Sequence, residues 1–193
     1  MDNCFIDTTL EFLQIAFHNI LYYASIYPIS IFETRRKYSI VVYRSNHPEV
    51  NEYIDLCLKS IAECLHNGDL KRVEFAITSS DYEVLMKFVF DLDKNDTHDE
   101  TRDAYLVQAE QNMRAFCLKL TTLSDKFTDL PEDRSFMIFL HTNESAAVAM
   151  AANPELESFP LVETEVETEF QHILPLRRFC VRNYNLDMYM EFR

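Results

Sequence analysis

An α+β fold, with three helices packed on a mainly antiparallel sheet, follows from three observations. Apolar residues recur at helical spacing in three stretches, Leu10 to Ala24, Val50 to Leu65 and Leu106 to Leu120. Val73 to Phe90 alternates apolar with polar residues, and Ser135 to His141 is an almost unbroken apolar run. These are the two patterns that strands make. The order is helix, strand, helix, hairpin, helix, strand and a long two-strand tail. That is the segregated order of an α+β domain.

The first helix carries Leu10, Leu13, Phe17, Ile20, Leu21 and Ala24 on one face. Phe12, Ile15 and Ala16 make its other side apolar, so it is expected to lie buried between layers. Tyr27-Pro28 ends it. Lys37 to Tyr43, KYSIVVY, is β-branched and aromatic and predicts one short strand. His47 starts the second helix, with Pro48 suited to its first turn. Val50, Ile54, Cys57, Leu58, Ile61 and Leu65 line one face, and Asn67-Gly68 supplies a left-handed stop.

Val73, Phe75 and Ile77, then Val84, Met86, Phe88 and Phe90, predict a β-hairpin with one buried face, turning at Ser79-Ser80-Asp81. Asp91 to Thr101 is polar and reads as a loop. The third helix places Leu106, Ala109, Met113, Phe116 or Cys117, and Leu120 on one stripe, with Glu110 and Arg114 four apart outside it. SFMIFLH at 135–141 predicts a central strand buried on both faces. From 143 the chain is Ala-rich, then Pro-broken, then acidic, and strand-like composition returns from Ile173. No linker divides the 193 residues, so one domain is expected over 1–193.

Composition removes several function classes. With 18 Lys+Arg and 32 Asp+Glu, the net charge is −14. A surface this acidic repels phosphate backbones and disfavours direct nucleic-acid binding. The chain holds one glycine, Gly68, where average usage is roughly 7%. Phosphate-binding loops, dinucleotide fingerprints and nucleophile elbows each need several. No apolar stretch is long enough to span a membrane, and Met1 to Thr9 lacks the basic start of a secretory signal. Five cysteines with no CxxC predict reduced, mostly buried intracellular thiols.

Chemistry-bearing motifs are weak. Asp91-x-Asp93-x-Asn95 opens like a calcium loop, yet Asp96 stands where glycine belongs and Arg102 where the closing glutamate belongs. A solvated loop is the expected reading. The six histidines show no metal spacing, and His18 on a buried helix reads as a hydrogen-bonded core residue. Arg35-Arg36-Lys37 reads as a solvated edge strand whose charges block edge pairing. Glu163 to Glu169, ETEVETE, reads as a solvated face. No catalytic, cofactor or metal site is expected.

The runs EFLQIAFHNILYY, YPISIFETRRKY, HPEVNEYI, KFVF, MRAFCLKL and FLHTNE, with the sparser FPL, ILPL and NLDMYMEF, resemble the HORMA-domain family. Within it they are most similar to the branch that serves as the non-catalytic accessory subunit of DNA polymerase zeta. The resemblance implies a core at about 1–142 and a mobile C-terminal seatbelt at about 143–193. The belt would close over a Pro-containing peptide of the polymerase zeta catalytic subunit. Peptide contacts would fall to Tyr53 in HPEVNEYI and to Leu161, which stands where the family commonly has Trp. Without the resemblance, Tyr53 reads as a half-buried helix tyrosine and Leu161 as a core leucine. Arg114 in MRAFCLKL would centre a dimerisation face for a HORMA homodimer or heterodimer. Ile173, Asp187 and Tyr189 would form a second surface for the deoxycytidyl-transferase scaffold of translesion synthesis. Asp187 departs there from the usual uncharged polar residue. A remodelling AAA+ ATPase and a nuclear location, also cytoplasmic, are further implied. The sibling alternative is a spindle-checkpoint or chromosome-axis regulator acting on the anaphase-promoting complex.

Overall fold

A helix apolar on nearly every face can only sit between layers, and the first one does. In the computed structural model, which describes residues 3–94, 104–143, 159, 162, 164, 170–181 and 184–193, helix α1 spans Asn3–Tyr23. Phe12, Leu13, Ala16, Phe17, Ile20 and Leu21 on it are fully buried. Helix α2 (Pro48–Asn67) and helix α3 (Ala104–Leu120) pack against it. A short fourth helix, α4 (Ser124–Phe127), inserts Phe127 into the core. Gly68 closes α2 at φ 76°, with its N–H donating to the Leu65 carbonyl at 3.1 Å.

The strands form two sheets rather than one. Strands β1 (Phe32–Lys37) and β2 (Ile40–Ser45) pair as an antiparallel hairpin. The single strand expected over 37–43 is therefore two half-strands. Tyr38 and Ser39 turn between them with φ of 51° and 58°, the left-handed pair of a tight hairpin turn. Composition hid this turn because neither residue is Gly or Asn.

The main sheet has the order β5-β3-β4-β7-β6, all antiparallel. Its strands are β3 (Arg72–Thr78), β4 (Val84–Lys94), β5 (Ser135–His141), β6 (His172–Val181) and β7 (Tyr184–Phe192). Three expectations change here. Strand β3 is central, so Glu74, Ala76 and Thr78 are buried along with Val73, Phe75 and Ile77. Strand β5, expected at the centre, pairs only with β3 among the described residues and is half-buried, with exposed ends. Strand β4 runs on through Asp91–Lys94, where a loop was expected, because β7 pairs with it as far as Tyr184.

One face of the main sheet meets the helices. Phe75, Phe88, Phe90, Leu186, Met188 and Met190 join the helix core there, with Phe12 edge-on to Phe90 and Phe116. Arg177 of β6 fastens to α3, its Nε donating to Asn112 Oδ1 at 2.6 Å. Of the expected belt, the segments at 170–181 and 184–193 are described, and they form the β6–β7 hairpin docked on β4. Leu161 and most of the ETEVETE run lie outside the described residues.

Candidate functional site

Tyr53 falls on the side of α2 that reaches the β5 edge. Helical spacing puts it one residue before Ile54, which is fully buried, so Tyr53 itself is left at the rim. Its ring stands edge-on to Phe136 of β5 at 5.4 Å and to Phe159 at 5.8 Å. Phe136 stacks in turn on Phe75 at 5.1 Å. Burial, then the neighbouring Cys57 thiol, pushes the Tyr53 hydroxyl above its ordinary range. The result is an aromatic corner beside a strand with an unpaired edge among the described residues. Such an edge offers alternating N–H and C=O groups to an extended chain. The sequence runs FPL and SFMIFLH contain Phe159 and Phe136 but do not mark them as site residues, because only tertiary packing brings them to Tyr53.

Arg114 is exposed on α3, and no ion pair joins it to Glu110 among the described residues. Val107, 59% exposed, and Leu118, 44% exposed, lie seven before it and four after it. Those spacings put all three on one helix stripe. The α3 surface therefore presents a cation between two apolar side chains.

The third set of residues divides. Side chains alternate along β7: Leu186, Met188 and Met190 are buried, and Asp187, Tyr189 and Glu191 point to the other face. Ile173 is 64% exposed and pairs with Glu191 across β6 and β7. Tyr189 is half-buried, and its hydroxyl donates to Asp91 Oδ2 at 2.9 Å. Arg72 grips the same carboxylate through Nε at 2.5 Å and Nη2 at 3.2 Å. Burial, then this bond to Asp91, pushes the Tyr189 hydroxyl up. Register is the cause: Arg72, Asp91 and Asp187 fall in one row across β3, β4 and β7.

A second ionic row lies beside it. Glu74 is buried, with Lys87 Nζ at 3.1 Å, His141 Nε2 at 3.2 Å and Arg72 Nη1 at 3.5 Å. Burial raises the Glu74 carboxyl, but His141 and Lys87 outweigh it and hold the pKa at about 2. Lys87 also reaches Glu191 of β7 at 4.0 Å and lies 5.3 Å from the Phe170 ring. These charges tie β5, β3, β4 and β7 together. Sequence reading missed them because each looks like an ordinary solvent-side position on an alternating strand.

The chemistry of the remaining groups is quiet. Burial pushes the thiols of Cys57 and Cys117 up to about 12 and that of Cys64 to about 11, far from a nucleophile's range. His18 is a core residue as expected: Ser45 N–H donates to its Nδ1 at 3.3 Å. Among the described residues no cluster of His, Cys, Asp or Glu could hold a metal ion, and no helix is long and apolar enough to cross a membrane.

Comparison with known proteins agrees with this architecture. The chain is 30% identical over 190 residues to the human mitotic spindle assembly checkpoint protein MAD2B, covering 97% of this chain and 90% of that one. It is 29% identical over 179 residues to DNA polymerase zeta subunit 2 of Drosophila melanogaster, covering 89% of each. Among solved structures, a chain of the mitotic checkpoint complex superposes with a TM-score of 0.78 at 18% identity, over 97% of this chain and 98% of that one. HTP-2 of C. elegans bound to an HTP-3 motif superposes at 0.73 and 13% identity, over 95% of this chain and 88% of that one. The HORMA domain model matches residues 6–156. With that match across most of its length and the same helices on an antiparallel sheet, the chain belongs to the HORMA-domain family.

Proposed function

We propose that this protein is an adaptor that captures a Pro-containing peptide of the DNA polymerase zeta catalytic subunit along β5 and holds it under its C-terminal segment. The observation that carries this reading is the β5 edge, unpaired among the described residues, beside the Tyr53–Phe136–Phe159 corner. An extended peptide gains main-chain hydrogen bonds from such an edge, and an aromatic corner reads its apolar side chains. A proline fits where no N–H is needed. The HORMA proteins related to MAD2B are non-catalytic adaptors, and the raised thiols of this chain agree with that. The relatives named as subunits of DNA polymerase zeta support the choice of partner and a nuclear site of action.

Isothermal titration with a peptide from the polymerase subunit tests the reading. Tyr53→Ala should weaken binding by about 2 kcal/mol, the scale of a central aromatic anchor. Unchanged affinity in a folded Tyr53→Ala variant removes Tyr53 from the site. No binding by the wild type overturns the peptide itself.

Two further surfaces complete the adaptor. The stripe of Val107, Arg114 and Leu118 pairs two HORMA domains, and Arg114→Ala should convert the dimer to monomer in analytical ultracentrifugation. Ile173, Asp187 and Tyr189 meet the translesion scaffold, and Asp187 favours a basic partner face. Scaffold-domain affinity measured with Ile173→Ala checks this: no change would place the contact elsewhere.

A further inference from the structure

The β1–β2 hairpin has one sealed edge and one open edge. Helix α1 seals β2: Tyr43 N–H donates to Asn19 Oδ1 and Ser45 N–H to His18 Nδ1, each at 3.3 Å. Those two residues therefore point their backbone groups away from β1, and their cross-strand partners Thr34 and Phe32 point theirs away from β2. Arg36, two residues along, repeats that direction. The Phe32 N–H donates to the Ile29 carbonyl. The N–H and C=O groups of Thr34 and Arg36 have no partner among the described residues. This edge lies in a different sheet from β5.

Charge sets it apart from the rest of the surface. The chain carries a net −14, yet Arg35, Arg36, Lys37 and Arg44 all stand on this hairpin. Glu33 holds Arg35 and Glu11 holds Lys37, whereas Arg36 and Arg44 are in no ion pair among the described residues. Arg36 is exposed, and Val41, directly across from it on the same face, is 58% exposed. At the other end of β1, Phe32 is half-buried and Ile29, in the turn that enters the strand, is 66% exposed. Charges of one sign keep like-charged and neutral strands off an edge, and the same charges favour an acidic one. A second copy of the chain would set one basic run against another. A nucleic-acid backbone meets the repulsion of the whole acidic chain.

We propose that β1 takes up an extended acidic segment of a partner protein as a third strand of this small sheet, with a carboxylate of the segment on Arg36 and an apolar side chain beside Phe32 and Ile29. Strand alternation fixes the spacing. Arg36 and Phe32 are four residues apart on one face, so the carboxylate and the apolar residue of the segment are also four apart. Main-chain bonds to Thr34 and Arg36 hold the strand, and the two side chains select it.

The test uses the full chain and short synthetic strands, with amide chemical shifts and hydrogen exchange read by NMR. The acidic probe carries glutamate and phenylalanine four residues apart. One control replaces the glutamate by glutamine, a second methylates alternate backbone nitrogens, and a third is a DNA duplex. The acidic probe should shift the amides of Thr34 and Arg36 and slow their exchange while β5 stays unmoved, and methylation should abolish the effect. Arg36→Gln, at an exposed site, should weaken the acidic probe about fivefold, the loss of one exposed ion pair, and leave the weaker glutamine probe unchanged. No protection of Thr34 and Arg36, protection of β5 in their place, equal binding by either control peptide, or unchanged affinity in Arg36→Gln overturns the proposal. Larger shifts of the same amides with the duplex overturn the assignment to a peptide. Protection that grows with the concentration of the free chain gives the edge to a second copy and overturns it as well.

Discussion

Tyr189→Phe removes one hydroxyl and no ring, so it isolates the bond that pins β7 to β4. In the wild type that hydroxyl donates to Asp91 Oδ2 at 2.9 Å, and the carboxylate is also held by Arg72 at 2.5 and 3.2 Å. A hydrogen bond to a charged group contributes about 1.5–3 kcal/mol. Asp91 keeps its arginine after the change, and its side chain is 30% exposed, so water can replace the lost donor. The lower end of that range applies, about 1.5 kcal/mol. The effect should be local, because Leu186, Met188 and Met190 still bury their side chains. Hydrogen exchange on the folded protein should show amides of β7 and β6 opening about tenfold more often, with β3 unchanged. A double-mutant cycle with Asp91→Asn, followed by urea unfolding, isolates the pair. Zero coupling in that cycle, or equal exchange rates along β7, would refute the argument and leave the hairpin held by apolar packing alone.

Other expectations follow from the same charges and turns. Burial, then Arg44 and Arg35, lowers the His18 pKa from 6.5 to about 4. The unfolded chain therefore takes up this proton first as pH falls, and the contribution present above pH 6.5 is lost on the way down to about 4. Its full size is about 3 kcal/mol, and urea midpoints between pH 7 and 4.5 should decline in the wild type and much less in His18→Gln. Lys87→Met leaves Glu74 buried without its nearest cation and should cost about 3 kcal/mol in chemical denaturation, whereas adding Glu74→Gln should recover part of that. Gly68→Ala meets no atom within 4 Å, yet its φ of 76° should still cost about 1 kcal/mol in melting experiments.

Much of this molecule is dictated locally. The stripes of α1, α2 and α3, the Pro48 start and the Gly68 stop are legible because a helix repeats its own period and its ends need particular backbone chemistry. The family motif in HPEVNEYI likewise pointed to Tyr53, and the structure places it beside β5. The tight turn at Tyr38-Ser39 was illegible, since neither residue advertises a left-handed backbone. Strand order is a further limit. An apolar run such as SFMIFLH reads as central, but β5 pairs only with β3 among the described residues, and that pairing joins residues with 56 or more others between them. Register decided the rest. Asp91, read as loop, was drawn into β4 by β7, and only that alignment set it opposite Arg72 and within diagonal reach of Tyr189. Helix faces and caps are properties of neighbours in sequence, which the chain determines alone. Edges, registers and buried charge partners are properties of neighbours in space, and only the tertiary structure decides them.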